Sequence, residues 1–259
     1  MQYSEFKRRV GSLIGIDLFH YKSQQMDRRI NSFMSLWGVT TYDEYFDLLQ
    51  KDPQILKEFI KKLTINVSEF FRNAERFVEL QQQILPELLQ RQSLVRIWSA
   101  GCSDGSEPYS IGIIVKELGV ENRVQIIASD IDREILRKAK EGVYTANEVK
   151  SLPSALLEKY FTVEDNNRYR LTETVKRLVQ FRFHNLLADP FESNLDLIVC
   201  RNVVIYFTEE AKNKLYNRFL QSLRPGGYIL VGGTEPILQY RQFGLEHVMT
   251  SFYRKVGQP

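Results

Sequence analysis

From residue 94 onward the chain alternates short apolar runs with helical stretches, which restricts this part to a mostly parallel sheet covered by helices. The runs are residues 94–98, 124–129, 179–183, 195–200 and 228–232. Each is rich in β-branched or aromatic residues and is followed by polar residues or glycine. Pro225-Gly226-Gly227 punctuates the entry to the last run, and residues 244–256 read as a closing antiparallel hairpin. Between Lys159 and Phe183 the alternation is interrupted. Tyr160-Phe161, a turn at Asp165-Asn166-Asn167 and then Tyr169-Arg170-Leu171 predict a small antiparallel excursion built onto the sheet.

The first third follows a different period. Phe6, Val10, Leu13 and Ile14 recur at helical spacing, as do Met26, Ile30, Phe33, Met34 and Trp37. Thr41 and Glu44 have the spacing of a capping box. Asp52-Pro53 places an N-cap before a proline at the first helical position, opening a helix with Ile55, Phe59 and Leu63 inside. Residues 64–72 (TINVSEFFR) break this rhythm, and Phe77, Leu80, Ile84, Leu85 and Leu88 resume it.

Composition excludes several classes. A net charge of +3 is too small to imply nucleic acid by itself, and no apolar run approaches the ~20 residues of a membrane span. Met1 to Arg9 is polar and charged, unlike a signal peptide or an anchor. Two cysteines, Cys102 and Cys200, are too few for a disulfide framework in 259 residues, so a reduced, cytoplasmic protein is expected.

In an open parallel sheet ligands bind beyond the carboxyl ends of the strands, where strand order reverses. The first strand exits into Ser99-Ala100-Gly101-Cys102-Ser103-Asp104-Gly105-Ser106-Glu107-Pro108, which is neither a Walker A loop nor GxGxxG. Its small residues suit either close approach to a ligand or a plain strand–helix turn. The second exits at Ser129-Asp130-Ile131-Asp132. Asp130 sits where adenosine ribose hydroxyls are accepted, and Asp132, before Arg133-Glu134-Ile135-Leu136, reads as the cap of the next helix. At the third exit, Asn185 is either an adenine-side partner or a turn former, and Leu186 is placed to pack on the ring. Arg201-Asn202, directly after an apolar strand, is hard to justify by packing because buried charge is costly.

The set TINVSEFFR, WSAGCSDGSEPYS, ASDID, FHNLLADPF and DLIVCRNVVIYF resembles the CheR methyltransferases in content and order, over essentially the whole chain. The glycine loop departs from the commoner GxGxG of methyltransferases, while its SDGSEPYS tail is similar to this family. The resemblance implies an α/β fold: a doubly wound, mostly parallel, seven-stranded class I methyltransferase sheet, an all-α N-terminal domain and a small antiparallel β insertion. Residues 1–70 would form the helical docking domain, 71–90 a linker helix and 91–259 the S-adenosylmethionine-binding catalytic domain, with 156–184 as the insertion. Asn66, Ser68, Arg72, Glu107, Asp130, Asn185, Leu186, Arg201 and Asn202 would line the cofactor pocket. Tyr206 would lie near the methyl acceptor, and Arg72 would orient either the substrate carboxylate or the carboxylate of the cofactor. S-adenosylmethionine would leave as S-adenosylhomocysteine, with no metal.

The implied substrate is a glutamate carboxylate on the cytoplasmic methylation helices of transmembrane chemoreceptors. A glutamate with a pKa of ~4.3 is already ionised at neutral pH and needs no general base. Of the three histidines, His184 stands closest to a strand end and reads as structural. Arg28 and Arg29, on the helix with Met26 and Ile30 inside, are candidate docking residues for glutamate-rich helices. Neither nucleic acid binding nor membrane insertion is expected. The short, glycine-free turn of the insertion, with Glu164 and Asp165, argues against a tether to a C-terminal receptor peptide. Two rivals are an enzyme methylating nitrogen, disfavoured because Arg201-Asn202-Val203-Val204 replaces the Asn/Asp-Pro-Pro-aromatic signature, and a non-catalytic nucleotide sensor.

Overall fold

The computed structural model describes residues 1–64 and 68–257. The chain divides into two compact units, Met1–Asn66 with Ile205–Lys214, and Val67–Val204 with Leu215–Pro259. No helix among the described residues is long and apolar enough to cross a membrane.

The first unit contains helices Tyr3–Ile14, Ser23–Leu36, Tyr42–Lys51 and Pro53–Leu63. The start signals act as expected. Thr41 and Glu44 close a capping box, and the Asp52 carboxylate accepts from Gln54 and Ile55 N–H ahead of Pro53. Phe6 stacks on Tyr45 at 5.3 Å, and Tyr45 meets Phe59 edge-on at 5.8 Å, an aromatic core under these helices. Leu13 and Trp37, expected inside from their spacing, are exposed. Trp37 lies just past the end of its helix, where the period no longer sets its direction.

The segment 205–214 was not expected in this unit. Lys22 N–H donates to the Tyr206 carbonyl at 2.9 Å, Thr208 N–H to the His20 carbonyl at 2.9 Å, and Tyr21 meets Phe207 edge-on at 5.1 Å.

In the second unit the strands are β1 Val95–Ala100, β2 Val124–Asp130, β3 Val143–Thr145, β4 Phe161–Glu164, β5 Arg168–Leu171, β6 Val179–Phe183, β7 Leu195–Cys200, β8 Leu223–Val231, β9 Leu245–Met249 and β10 Phe252–Lys255. The large sheet has the order β6-β2-β1-β7-β8-β10-β9. The first five of these strands are parallel, and the expected hairpin β9–β10 adds antiparallel to β8. The chain moves outward from β1 through β2 to β6, then returns to lay β7 against the other side of β1. The switch point therefore falls between the carboxyl ends of β1 and β7. Strands β1 and β7 are almost wholly buried, as sheets covered on both faces require.

The small sheet has the order β3-β5-β4. It begins with Val143–Thr145, upstream of the expected 156–184 insertion, while β6, which those bounds included, belongs to the large sheet. β3 is only three residues long, too short for its alternation to stand out. At the hairpin tip Asn166 and Asn167 take φ of 64° and 54°, so asparagine supplies the left-handed turn that glycine would otherwise provide. The linker runs Ala74–Glu79, a widened turn Leu80–Ile84, then Leu85–Arg91. Pro86 has no N–H to donate back, and the widened turn lies directly before it.

Candidate active site

The loop after β1 is folded back onto the end of β2. Gly101 and Cys102 both donate N–H to the Ser129 carbonyl, at 2.8 and 2.9 Å. Gly101 has φ +81°, and a Cβ there would lie 2.5 Å from Val203 Cγ2, so glycine is required for the loop to pass the exit of β7. Ser103, with φ 51°, donates N–H to Asp130 Oδ2 at 2.8 Å. Asp130 Oδ1 accepts from Asp132 N–H at 3.0 Å, so one buried carboxylate joins two strand exits. Burial lifts its pKa to about 6, against the pull of these N–H groups. Each oxygen keeps acceptor capacity for a second donor, which suits a ribose diol. Asp132 caps the helix Arg133–Glu141, accepting from Glu134 and Ile135 N–H. Asp132 is thus the helix cap that its position predicts.

At the third exit the turn-forming role of Asn185 is realised. Its Oδ1 accepts from Leu187 N–H at 3.0 Å, and its own N–H donates to Asp189 Oδ2 at 2.8 Å. Arg218 donates to the Leu186 carbonyl at 2.6 Å, fixing the turn from below. His184 packs against Trp98 and Phe191 at 5.4 and 5.5 Å, and burial pushes its pKa down. It is a structural histidine.

Glu107 and Arg201 meet at the switch point. The Glu107 carboxylate accepts from Ser99 Oγ at 2.7 Å and pairs with Arg201 at 3.5 Å. Burial raises its pKa, while Arg201, Ser99 and the charge of Arg72 oppose the rise. Arg201 Nη2 also donates to the Arg72 carbonyl at 2.6 Å and to Asn73 Oδ1 at 2.7 Å. Burial of this charge is thereby compensated, which answers the objection that packing cannot justify it. Arg201 Nε is buried with no hydrogen-bond partner among the described residues.

Asn202 takes φ 59° and donates N–H to Glu235 Oε1, which also accepts from Gly232 N–H at 2.9 Å. A Cβ at Gly232 would sit 2.5 Å from that oxygen, so the clamp between the ends of β7 and β8 needs glycine. Glu235 and Asn73 were missed from sequence. Glu235 stands three residues beyond the run 228–232, within the loop that the exit rule addresses.

The remaining expected residues are distributed as follows. Arg72 contributes its charge to Glu107, and Ser68 is half-buried. Asn66 lies outside the described residues. Tyr206 belongs to the helical unit, where the Arg29 guanidinium sits 5.0 Å above its ring. Arg29 also donates to the Leu63 carbonyl at 3.0 Å, whereas Arg28 is exposed. Cys102 and Cys200 are both buried, with thiols pushed well up by burial, as inert thiols are.

The donor set fits S-adenosylmethionine. Asp130 offers acceptors to a ribose, Glu107 offers negative charge, and the spare Arg201 Nε offers a buried donor. The sheet order and the glycine loop at the switch point are those of a class I S-adenosylmethionine-dependent methyltransferase. Residues 66–251 match the CheR methyltransferase SAM-binding domain, and residues 1–64 match the CheR methyltransferase all-alpha domain. A chemotaxis protein methyltransferase from Listeria monocytogenes is 41% identical over 254 residues, which is 98% of this chain and 97% of the relative. One from Borreliella burgdorferi is 36% identical over 254 residues, covering 93% and 89% of the two chains. The chain belongs to the CheR methyltransferase family.

Proposed function

We propose that this chain transfers the methyl group of S-adenosylmethionine to glutamate side chains on the methylation helices of chemoreceptors, in the cytoplasm, forming methyl esters. The observation that carries this reading is the buried Asp130–Ser103–Asp132 junction beside the Gly101 loop, in a chain that belongs to the CheR family. Bound S-adenosylmethionine supplies an electrophilic methyl group on a sulfonium centre. Asp130 accepts the ribose hydroxyls. Glu107, Asn185, Leu186, Arg201 and Asn202 line the cofactor site, together with Ser68. Arg72 orients a carboxylate through a loose contact, since a tight bidentate grip would blunt the nucleophile, and Tyr206 hydrogen-bonds the acceptor. Aligning the reacting atoms in a partly dry site is worth ~7 kcal/mol or more in favourable cases.

Docking falls to the exposed Arg28. Arg29, already engaged with Leu63 and Tyr206, acts on the position of Tyr206 instead. The small sheet serves as an auxiliary contact and not as a tether. Of Arg168 and Arg170, which would partly offset the acids at the hairpin for an acidic peptide, Arg170 is paired with Glu164. Deleting the C-terminal tail of a cognate receptor should therefore leave the methylation rate nearly unchanged, and a large loss would establish a tether.

The test of the reaction is transfer from methyl-labelled cofactor to receptor cytoplasmic fragments, followed by mild alkali. Glutamyl methyl esters release methanol. Alkali-stable label would indicate N-methylation, and absence of transfer would favour the nucleotide sensor.

A further inference from the structure

The short run Phe70–Asn73 carries two non-glycine residues with left-handed backbone, Phe71 at φ 51° and Asn73 at φ 59°, one on each side of Arg72. For a bulky residue such as phenylalanine this conformation persists only where the surroundings enforce it. Three anchors do so. Phe70 is buried and meets Tyr144 and Phe161 of the small sheet edge-on, at 4.8 and 5.2 Å. Phe71 N–H donates to Ser110 Oγ at 2.9 Å, and that hydroxyl in turn donates to the Ser106 carbonyl at 2.7 Å. The Arg72 carbonyl and Asn73 Oδ1 both receive Arg201 Nη2. Asn73 precedes the helix Ala74–Glu79 but makes no side-chain cap there, so its amide is spent on Arg201.

We propose that Phe70–Asn73 is a preorganised bracket that fixes Arg72 at the cofactor pocket, with Asn73 and Ser110 as positioning residues acting through it. This rests on the role assigned to Arg72 above. The bracket also gives the small sheet a task independent of any peptide: Tyr144 and Phe161 wedge Phe70, and Tyr144 donates its hydroxyl to the Asp104 carbonyl of the glycine loop at 2.9 Å.

Asn73→Gly tests this cleanly. Glycine accepts positive φ without strain, and the substitution removes only the acceptor for Arg201. Turnover should fall about tenfold, because small misplacements of an orienting group are costly. The KM for S-adenosylmethionine should stay within about twofold and the melting temperature within about 2 °C, a split that general loosening of the fold would not produce. Asn73→Asp, which keeps an acceptor facing Arg201, should restore most of the turnover. In a double-mutant cycle, Asn73→Gly should cost nothing further once Arg72 is alanine. Losses that multiply in the double variant would overturn the bracket, as would Asn73→Gly at wild-type turnover while Arg72→Ala is impaired. An Arg72→Ala enzyme at full turnover would instead remove the role of Arg72 itself, and the bracket with it.

Discussion

Among the described residues of the N-terminal helical unit, residues 1–64, no non-glycine residue takes positive φ, whereas Phe71, Asn73, Ser103 and Asn202 around the exits of the large sheet all do. Helices Tyr42–Lys51 and Pro53–Leu63 start on side-chain caps and help to bury an aromatic core, so local preference there agrees with the fold. The exits break local preference at a cost on the order of 1–3 kcal/mol for each strained residue. They are held by hydrogen bonds to buried polar side chains: Asp130 for Ser103, Ser110 for Phe71 and Glu235 for Asn202. Positive φ at non-glycine residues is thus found at the strand exits and absent from the described helices.

The sharpest way to break this contrast is Arg72→Ala. Turnover should fall about a hundredfold, the range seen when one preorganised charge or donor is lost. Thermal stability should shift by less than about 1 kcal/mol, or 2–4 °C in a chain of this size, because the bracket is made by backbone and neighbouring side chains. Parallel kinetics and thermal scans check both, and an unfolded variant would mark Arg72 as structural. A smaller effect is expected of Gly101→Ala, where positive φ and the approach of Val203 both oppose a methyl group. It should lose roughly 1–3 kcal/mol of stability by denaturant titration, and unchanged stability would show that the loop is not strained. Smallest is Thr41→Ala in the helical unit, which should lose ~1 kcal/mol through its cap while turnover is unchanged. A drop in turnover there would show that the helices do more than present substrate.

What could be read from the residues follows the same division. The caps at Thr41 and Asp52, the strand runs and the closing hairpin were legible because each rests on local propensity or period. The cap at Asp132 was legible because a carboxylate just before a helix accepts its first N–H groups. The membership of residues 205–214 in the helical unit was not, since pairings such as Lys22 with Tyr206 join residues far apart in sequence and leave no periodic trace. For the same reason Arg201 was found but its partner Asn73 was not: Asn73 lies 128 residues away, and nothing local marks it as an acceptor. Arg29 reads from sequence as a docking candidate, and only the fold supplies Leu63 and Tyr206 as its neighbours.

The central claim, that the strand exits hold the nucleoside through Asp130, has a signature in pH. Burial lifts this carboxyl from 3.8 to about 6, so folding takes up a proton between those values. Its contribution to the stability of the free protein is full below about 4 and is lost as pH rises through about 6. Ribose binding has the opposite dependence, because the ionised carboxylate is the better acceptor. Calorimetric titration with S-adenosylhomocysteine should therefore show affinity rising between about pH 5 and 7. Asp130→Asn should flatten that rise, and Asp130→Ala should weaken binding by roughly 1–3 kcal/mol at neutral pH. Affinity in the wild type that is flat across this range, together with unchanged affinity in a folded Asp130→Ala protein, would contradict the assignment.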